Sequence, residues 1–190
     1  MFAQGFPHDE AASRDTMAYR LENASTYFVG TWISESSPFN ADLSIDLPLA
    51  PRRTLIGYVV GTCSGTERLE HENMFKHDPH GSTFRLHPVE VILLQCILRL
   101  CTHRLPSDLA HLCVHSVLIA PKYQNRGYAK TSLHNYVAHI TKEAPHIKRI
   151  SLIAKESKTK LYESCGFKMI GKSSVVHGQD TWFELTMSLE

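Results

Sequence analysis

The chain has 190 residues with 43% hydrophobic and 21% charged side chains, enough for one globular domain with its own core. A formal net charge of +1 gives no reason to expect a nucleic-acid partner. Five cysteines, an odd number with no CxxC pair, argue against both a zinc site and a disulfide framework and suit a reducing, cytoplasmic setting. Twelve histidines lack metal-ligand spacing and read mostly as surface residues. Met1 to Glu10 is not a signal peptide, because no basic region precedes an apolar run. Val89 to Leu100, the longest apolar stretch, is broken by Gln95 and Arg99 and is too short to span a bilayer, so no membrane partner is expected.

In chain order, residues 13–23 predict a helix capped by Ser13, with Met17 and Leu21 on one face. Tyr27 to Ile33 and Thr54 to Cys63 predict two strands of a hairpin, joined by a Ser-, Asn-, Asp- and Pro-rich loop over 34–51. Residues 64–83 are polar and give no clear element. Phe84 to Ala110 is apolar and basic without a clean period; it reads as an atypical insertion within a single domain spanning 1–190.

From His111 the signals sharpen. Leu112 to Ile119 predicts a buried strand ended by Pro121, which cannot donate to a ladder. A turn containing Gly127 leads into a helix with Ala129, Leu133, Tyr136, Val137 and Ile140 at helical spacing. Arg149 to Lys155 predicts another strand, 157–165 a short helix stopped by Gly166, and Phe167–Gly171 with Thr181–Leu189 a final strand pair. This order implies an α/β fold with at least one parallel strand pair.

The turn Gln124-Asn125-Arg126-Gly127-Tyr128-Ala129 joins a buried strand to a helix start, where unpaired backbone N–H groups and the positive end of the dipole suit a phosphate. Gly127 lets the backbone approach an anion, Ala129 lets the helix begin close to it, Arg126 adds a cation and Asn125 adds hydrogen-bonding groups. Taken alone, the turn reads first as an ordinary strand–helix connection that contains a glycine. No Gly-Lys-Ser/Thr follows, and the glycine pattern of a dinucleotide fingerprint is incomplete.

With its flanks, Val117 to Ala129 resembles the central motif of the GNAT superfamily of N-acetyltransferases, and Leu161-Tyr162-Glu163-Ser164-Cys165-Gly166-Phe167 resembles that family's later Tyr-x-x-x-Gly-Phe signature. The resemblance covers 111–189, and Phe6-Pro7 through Arg14 resembles a stretch of the arylalkylamine (serotonin-type) branch and its fungal polyamine-acetylating relatives. His115 and the tail His177 to Glu184 point to the same branch, although Cys113 stands where the animal enzymes usually carry a first histidine.

The resemblance implies a GNAT-type mixed central sheet flanked by helices. It also implies acetyl transfer from acetyl-CoA, with no metal, to the primary amine of a small arylalkylamine or polyamine. His115 is then the candidate base and Tyr162 the candidate acid. On a regular strand His115 would share a face with Cys113, Val117 and Ile119. The backbone of Val117, Leu118 and Ile119 would pair with the pantetheine arm, and Gln124, Asn125, Arg126, Gly127, Tyr128, Ala129 and Lys130 would hold the pyrophosphate. Phe6 and Pro7, with Phe2 and Met17, are candidates for the amine wall, and Asp9 and Glu10 for attracting its charge. Plain packing or an ordinary helix start accounts for these residues too.

Relatives usually begin with a strand and helix before the Phe-Pro stretch, so an N-terminal strand is expected to be missing. The 84–110 segment has the character of translated non-coding sequence. Competing expectations are a protein or peptide N-acetyltransferase of the same superfamily, and an inactive module that binds CoA. A monomer acting on a small-molecule amine is the expected working form.

Overall fold

The computed structural model describes residues 12–35, 52–64, 69, 110–175 and 180–189. The loop expected over 34–51 falls almost wholly outside them. So do all but the last residue of the 84–110 insertion, as well as Phe2, Phe6, Pro7, Asp9, Glu10 and His177.

Helix α1 runs Arg14–Asn23, and Ser13 caps it by accepting a hydrogen bond from the Thr16 N–H at 3.1 Å. A single 3-10 turn at Ser25–Tyr27 leads into strand β1, Phe28–Glu35, which pairs antiparallel with β2, Arg52–Ser64. Strand β3 follows at His111–Ile119, then helix α2 at Tyr128–Glu143, β4 at Arg149–Lys155, α3 at Glu156–Glu163, β5 at Lys168–Lys172 and β6 at Trp182–Ser188. The described strands form one mixed sheet in the order β1-β2-β3-β4-β6-β5, with helices on both faces. Among the described residues no helix is long and apolar enough to cross a membrane.

The expected alternation of strands and helices after residue 111 is what the structure has. β3 and β4 form the parallel pair, bridged by α2, since parallel neighbours need a crossover long enough to return the chain. One face of the sheet, the α2 face, presents Val59, Leu112, Val114, Ile150, Leu152 and Leu185 to Leu133, Tyr136 and Ile140 of α2. The other face presents Tyr58, Val60 and Leu118 to Met17 of α1. The expected α1 stripe is corrected here. Met17 is buried but Leu21 is exposed, and Arg20 completes the inward face. His111 likewise departs from the surface expectation, since it is buried with its Nε2 2.7 Å from Ser151 Oγ.

Beneath the α2 face lies a cluster of acidic side chains held neutral. Tyr136 donates to the Tyr27 carbonyl at 3.1 Å, and its phenol is pushed well up by burial. Burial also raises Tyr27 and raises Cys63 to about 11; on the opposite face of the sheet it raises Cys113 to about 12. Ordinary values are 9.0 for the thiols and 10.0 for the phenols. Above pH 9 the unfolded chain therefore releases protons that the folded chain keeps, so stability falls as pH rises. The melting temperature is expected to hold steady up to about pH 8.5 and to drop steeply between roughly pH 9 and 12. Thermal melts across that range check this, and a flat profile to pH 11 would contradict it.

Candidate active site

The parallel pairing of β3 with β4 is short. It runs from His111↔Arg149 to Val114↔Leu152 and stops there. Beyond it β3 continues to Ile119 along β2, while β4 continues to Lys155 along β6. The two strands thus part in the middle of the sheet. The burial of β3 marks the same point, with His115, Ser116 and Val117 half-exposed between buried residues on either side.

A β-bulge accompanies the parting. Val60 pairs with Ser116 but Gly61 pairs with Val114, so His115 is an extra residue on β3. Gly61 permits the close approach, since a Cβ there would lie 2.8 Å from both the Cys113 carbonyl oxygen and the Tyr136 hydroxyl. The bulge resets the alternation of side chains. Val117 packs with Val59 and Val114 on the α2 face, whereas Cys113 packs with Ile153 on the opposite face. His115 turns to that opposite face too, with its Nε2 2.7 Å from Thr62 Oγ1 of the residue paired with Cys113. The expectation that His115 shares a face with Val117 and Ile119 is therefore overturned: it keeps company with Cys113 and Thr62, as the inserted residue dictates.

Backbone directions along β3 follow from one bond. Ala120 N–H donates to the Ile56 carbonyl at 2.7 Å, toward β2. Successive residues of a strand point their N–H and C=O groups to alternate sides. The groups of Leu118 thus face β2, and those of Val117 and Ile119 face the seam that β4 has left. The Gln124 side chain closes the end of this seam by donating to the Ile119 carbonyl at 2.8 Å.

The turn after β3 begins with a 3-10 turn at Pro121–Tyr123. Asn125 then takes φ +60° and Gly127 φ +82°, both left-handed. A Cβ on Gly127 would meet nothing within 4 Å, so backbone conformation rather than space calls for glycine. The expectation gave Asn125 a hydrogen-bonding role; the structure adds a conformational one, since Asn tolerates this region better than most residues. Gly127 is the N-cap of α2 and supplies no side-chain acceptor. The first-turn amides of a helix lie beyond the reach of intrahelical partners. Gln124, Asn125, Arg126 and Lys130 are exposed around them, with Tyr128 and Ala129 half-buried.

Both parallel strands end at the same edge of the sheet, and each is followed by a helix: β3 through the turn to α2, and β4 directly into α3. In open α/β sheets ligands sit outside the carboxyl ends of the strands.

Tyr162 is fixed by the end of α3. Phe167 N–H donates to the Tyr162 carbonyl at 3.1 Å and Gly166 N–H to the Glu163 carbonyl at 3.0 Å, with Gly166 at φ +95°. These are the two bonds of a Schellman cap, and its usual apolar contact is the Tyr162–Phe167 edge-to-face pair at 6.0 Å. The Tyr-x-x-x-Gly-Phe signature is thus a helix stop that holds one phenol ring against its own terminator. Tyr162 packs on the α2 face of the sheet, opposite to His115. Burial pushes its phenol to about 12, with Cys165 adding to the shift. Burial raises the Cys165 thiol, opposed by a hydrogen bond with Ser164 and by the charge of Lys130.

Two features were missed by sequence reasoning. Thr62 lies in a strand whose pattern says only that it is a strand. Glu184 sits within the tail that supported the resemblance, but no role was read from it. Among the described residues no group of three His, Cys, Asp or Glu side chains could hold a metal.

Residues 103–187 match the family model of the acetyltransferase (GNAT) domain. The serotonin N-acetyltransferase of Mesocricetus auratus is 25% identical over 135 residues, 71% of this chain and 51% of the relative. The chain thus spans about half the length of the curated relative it matches. Two solved structures share the fold. The NatC complex bound to Gag peptide and CoA is 15% identical with a TM-score of 0.55, covering 95% of this chain and 82% of that one. The GphF GNAT-like decarboxylase in complex with isobutyryl-CoA is 12% identical with a TM-score of 0.59, covering 100% and 91%.

The Schellman cap yields a direct test. Gly166→Ala places a side chain at φ +95° and is expected to destabilise the fold by about 1–2 kcal/mol. Urea unfolding measures this; stability equal to that of the parent chain would contradict the cap assignment.

Proposed function

We propose that the chain transfers the acetyl group of acetyl-CoA to the primary amine of a small arylalkylamine or polyamine. The observation that carries this reading is the open seam of β3 backbone beside the start of α2, whose N-cap Gly127 has no side chain. A thioester arm can add to the seam as an extra strand, through the N–H and C=O groups of Val117 and Ile119. The turn from Gln124 to Lys130 suits the pyrophosphate, with the two left-handed residues aiming backbone N–H groups at the anion and Arg126 and Lys130 adding charge. The two solved neighbours, one with CoA and one with isobutyryl-CoA, share the fold, and the reading takes a CoA thioester here. The serotonin N-acetyltransferase of Mesocricetus auratus supports a small amine as acceptor.

Acetyl-CoA supplies an activated acyl group and a thiolate leaving group. The chain must deprotonate the amine, polarise the thioester carbonyl and protonate the departing sulfur. A seam-facing backbone N–H of β3 serves the carbonyl. His115, anchored on Thr62 on one face, is placed to take the amine's proton directly or through water. Tyr162, on the other face, stays protonated at neutral pH and is the proton donor to sulfur. Placing base and acid on opposite faces keeps the two from exchanging the proton directly, with the seam between them.

The test is thiol release from acetyl-CoA against tryptamine, phenethylamine, spermidine and lysine peptides. Turnover is expected with at least one small amine. Tyr162→Phe is expected to lower kcat by about 10²-fold at saturating acetyl-CoA, with CoA affinity retained. Release with none of the amines would overturn acetyl transfer, and an unchanged kcat in Tyr162→Phe would remove Tyr162 from the acid role.

A further inference from the structure

Glu184 of β6 lies on the His115 face of the sheet. On β4 the residues facing away from α2 are Ser151, Ile153 and Lys155, and their β6 partners are Thr186, Glu184 and Trp182. Glu184 therefore stands directly opposite Ile153. Ile153 is one step past the last β3–β4 pair, Val114↔Leu152, and His115 is one step past it on the other strand. His115, Ile153 and Glu184 thus form a single row across the face of the sheet. The imidazole and the carboxylate sit two strands apart, more than about 10 Å between backbones because β3 and β4 part here, and they flank the point where the seam opens. The Glu184 charge also reaches Cys113, where it helps to raise the thiol.

Lys155, a cation on this face, is otherwise occupied. Lys155 Nζ lies 2.7 Å from Asp180 Oδ2 and 5.5 Å from the Trp182 ring centroid. Glu184 makes no ion pair among the described residues and is half-exposed. A carboxylate in this position favours a cation beside the base and repels an anion.

Resting on the acyl-transfer reading, we propose that Glu184 is the specificity residue that receives the ammonium of the acceptor beside His115. The acceptor class is then amines that arrive protonated and carry no carboxylate next to the amine. Tryptamine and spermidine belong to it, and free amino acids do not. Glu184 binds and orients, while the proton leaves toward His115.

Glu184→Gln, with Glu184→Asp as the conservative control, tests this in two measurements. In thiol release at saturating acetyl-CoA, Glu184→Gln should raise KM for tryptamine at least about fivefold, with the loss falling on KM rather than kcat. It should also narrow the preference for tryptamine over tryptophan by a similar factor, and Glu184→Asp should restore part of both. In calorimetry on the CoA-loaded chain, the ratio of tryptamine to tryptophan affinity should narrow in the same way. A wild-type chain that releases no thiol sinks acetyl transfer, yet the calorimetric ratio still decides the role of Glu184. A ratio unchanged between wild type and Glu184→Gln overturns the proposal, as does a fall in kcat at constant KM.

Discussion

The site depends on one constraint: the parallel pairing of β3 and β4 ends at Val114↔Leu152 while both strands continue. Continuous pairing would satisfy the backbone of Val117 and Ile119 within the sheet and leave no edge to offer a ligand. The parting leaves those groups turned toward a seam. The β-bulge at His115 accompanies it, and a bulge bends a strand and increases its twist. Gly61, opposite the bulge, carries no Cβ to hold the strands apart. The opening is thus supported from both strands by one inserted residue and one absent side chain.

The surrounding elements work from that opening. The dry α2 face anchors the strands through Leu133, Tyr136 and Ile140 and keeps Cys63, Tyr27 and Tyr136 uncharged. α2 starts where β3 ends and α3 starts where β4 ends, so both helix starts lie at the carboxyl edge. The Schellman cap of α3 converts a local sequence pattern into a fixed phenol. The opposite face carries Thr62, His115, Ile153 and Glu184, and it is there that an amine would be received.

Much of this was legible in the sequence, for identifiable reasons. Ser13 announced α1, the spacing of Leu133, Tyr136 and Ile140 announced α2, and Arg149 to Lys155 is the observed strand β4. These are local signals, and tertiary structure did not override them. The side of the sheet that His115 occupies was not legible, because period-2 reasoning assumes a regular strand and a one-residue bulge reverses everything beyond it. The left-handed turn at Asn125 and the Thr62 partner of His115 depend on geometry spread across separate strands. Leu21 pointed outward for a related reason: α1 buries Met17 and Arg20 against Tyr58 and Leu118, a contact its own sequence does not encode. The candidate amine wall at Phe6 and Pro7 falls outside the described residues, so Glu184 and His115 are what the structure offers on the acceptor side.

The central claim is that the seam-facing backbone of β3 takes up the thioester arm as an added strand. Residue-resolved amide hydrogen exchange with and without CoA tests it most directly. The Leu118 amide, already turned to β2, should exchange at nearly the same rate in both states. The Val117 and Ile119 amides should slow markedly when CoA is added, together with the first-turn amides of α2. Slowing of the α2 amides with Val117 and Ile119 unchanged would contradict the account.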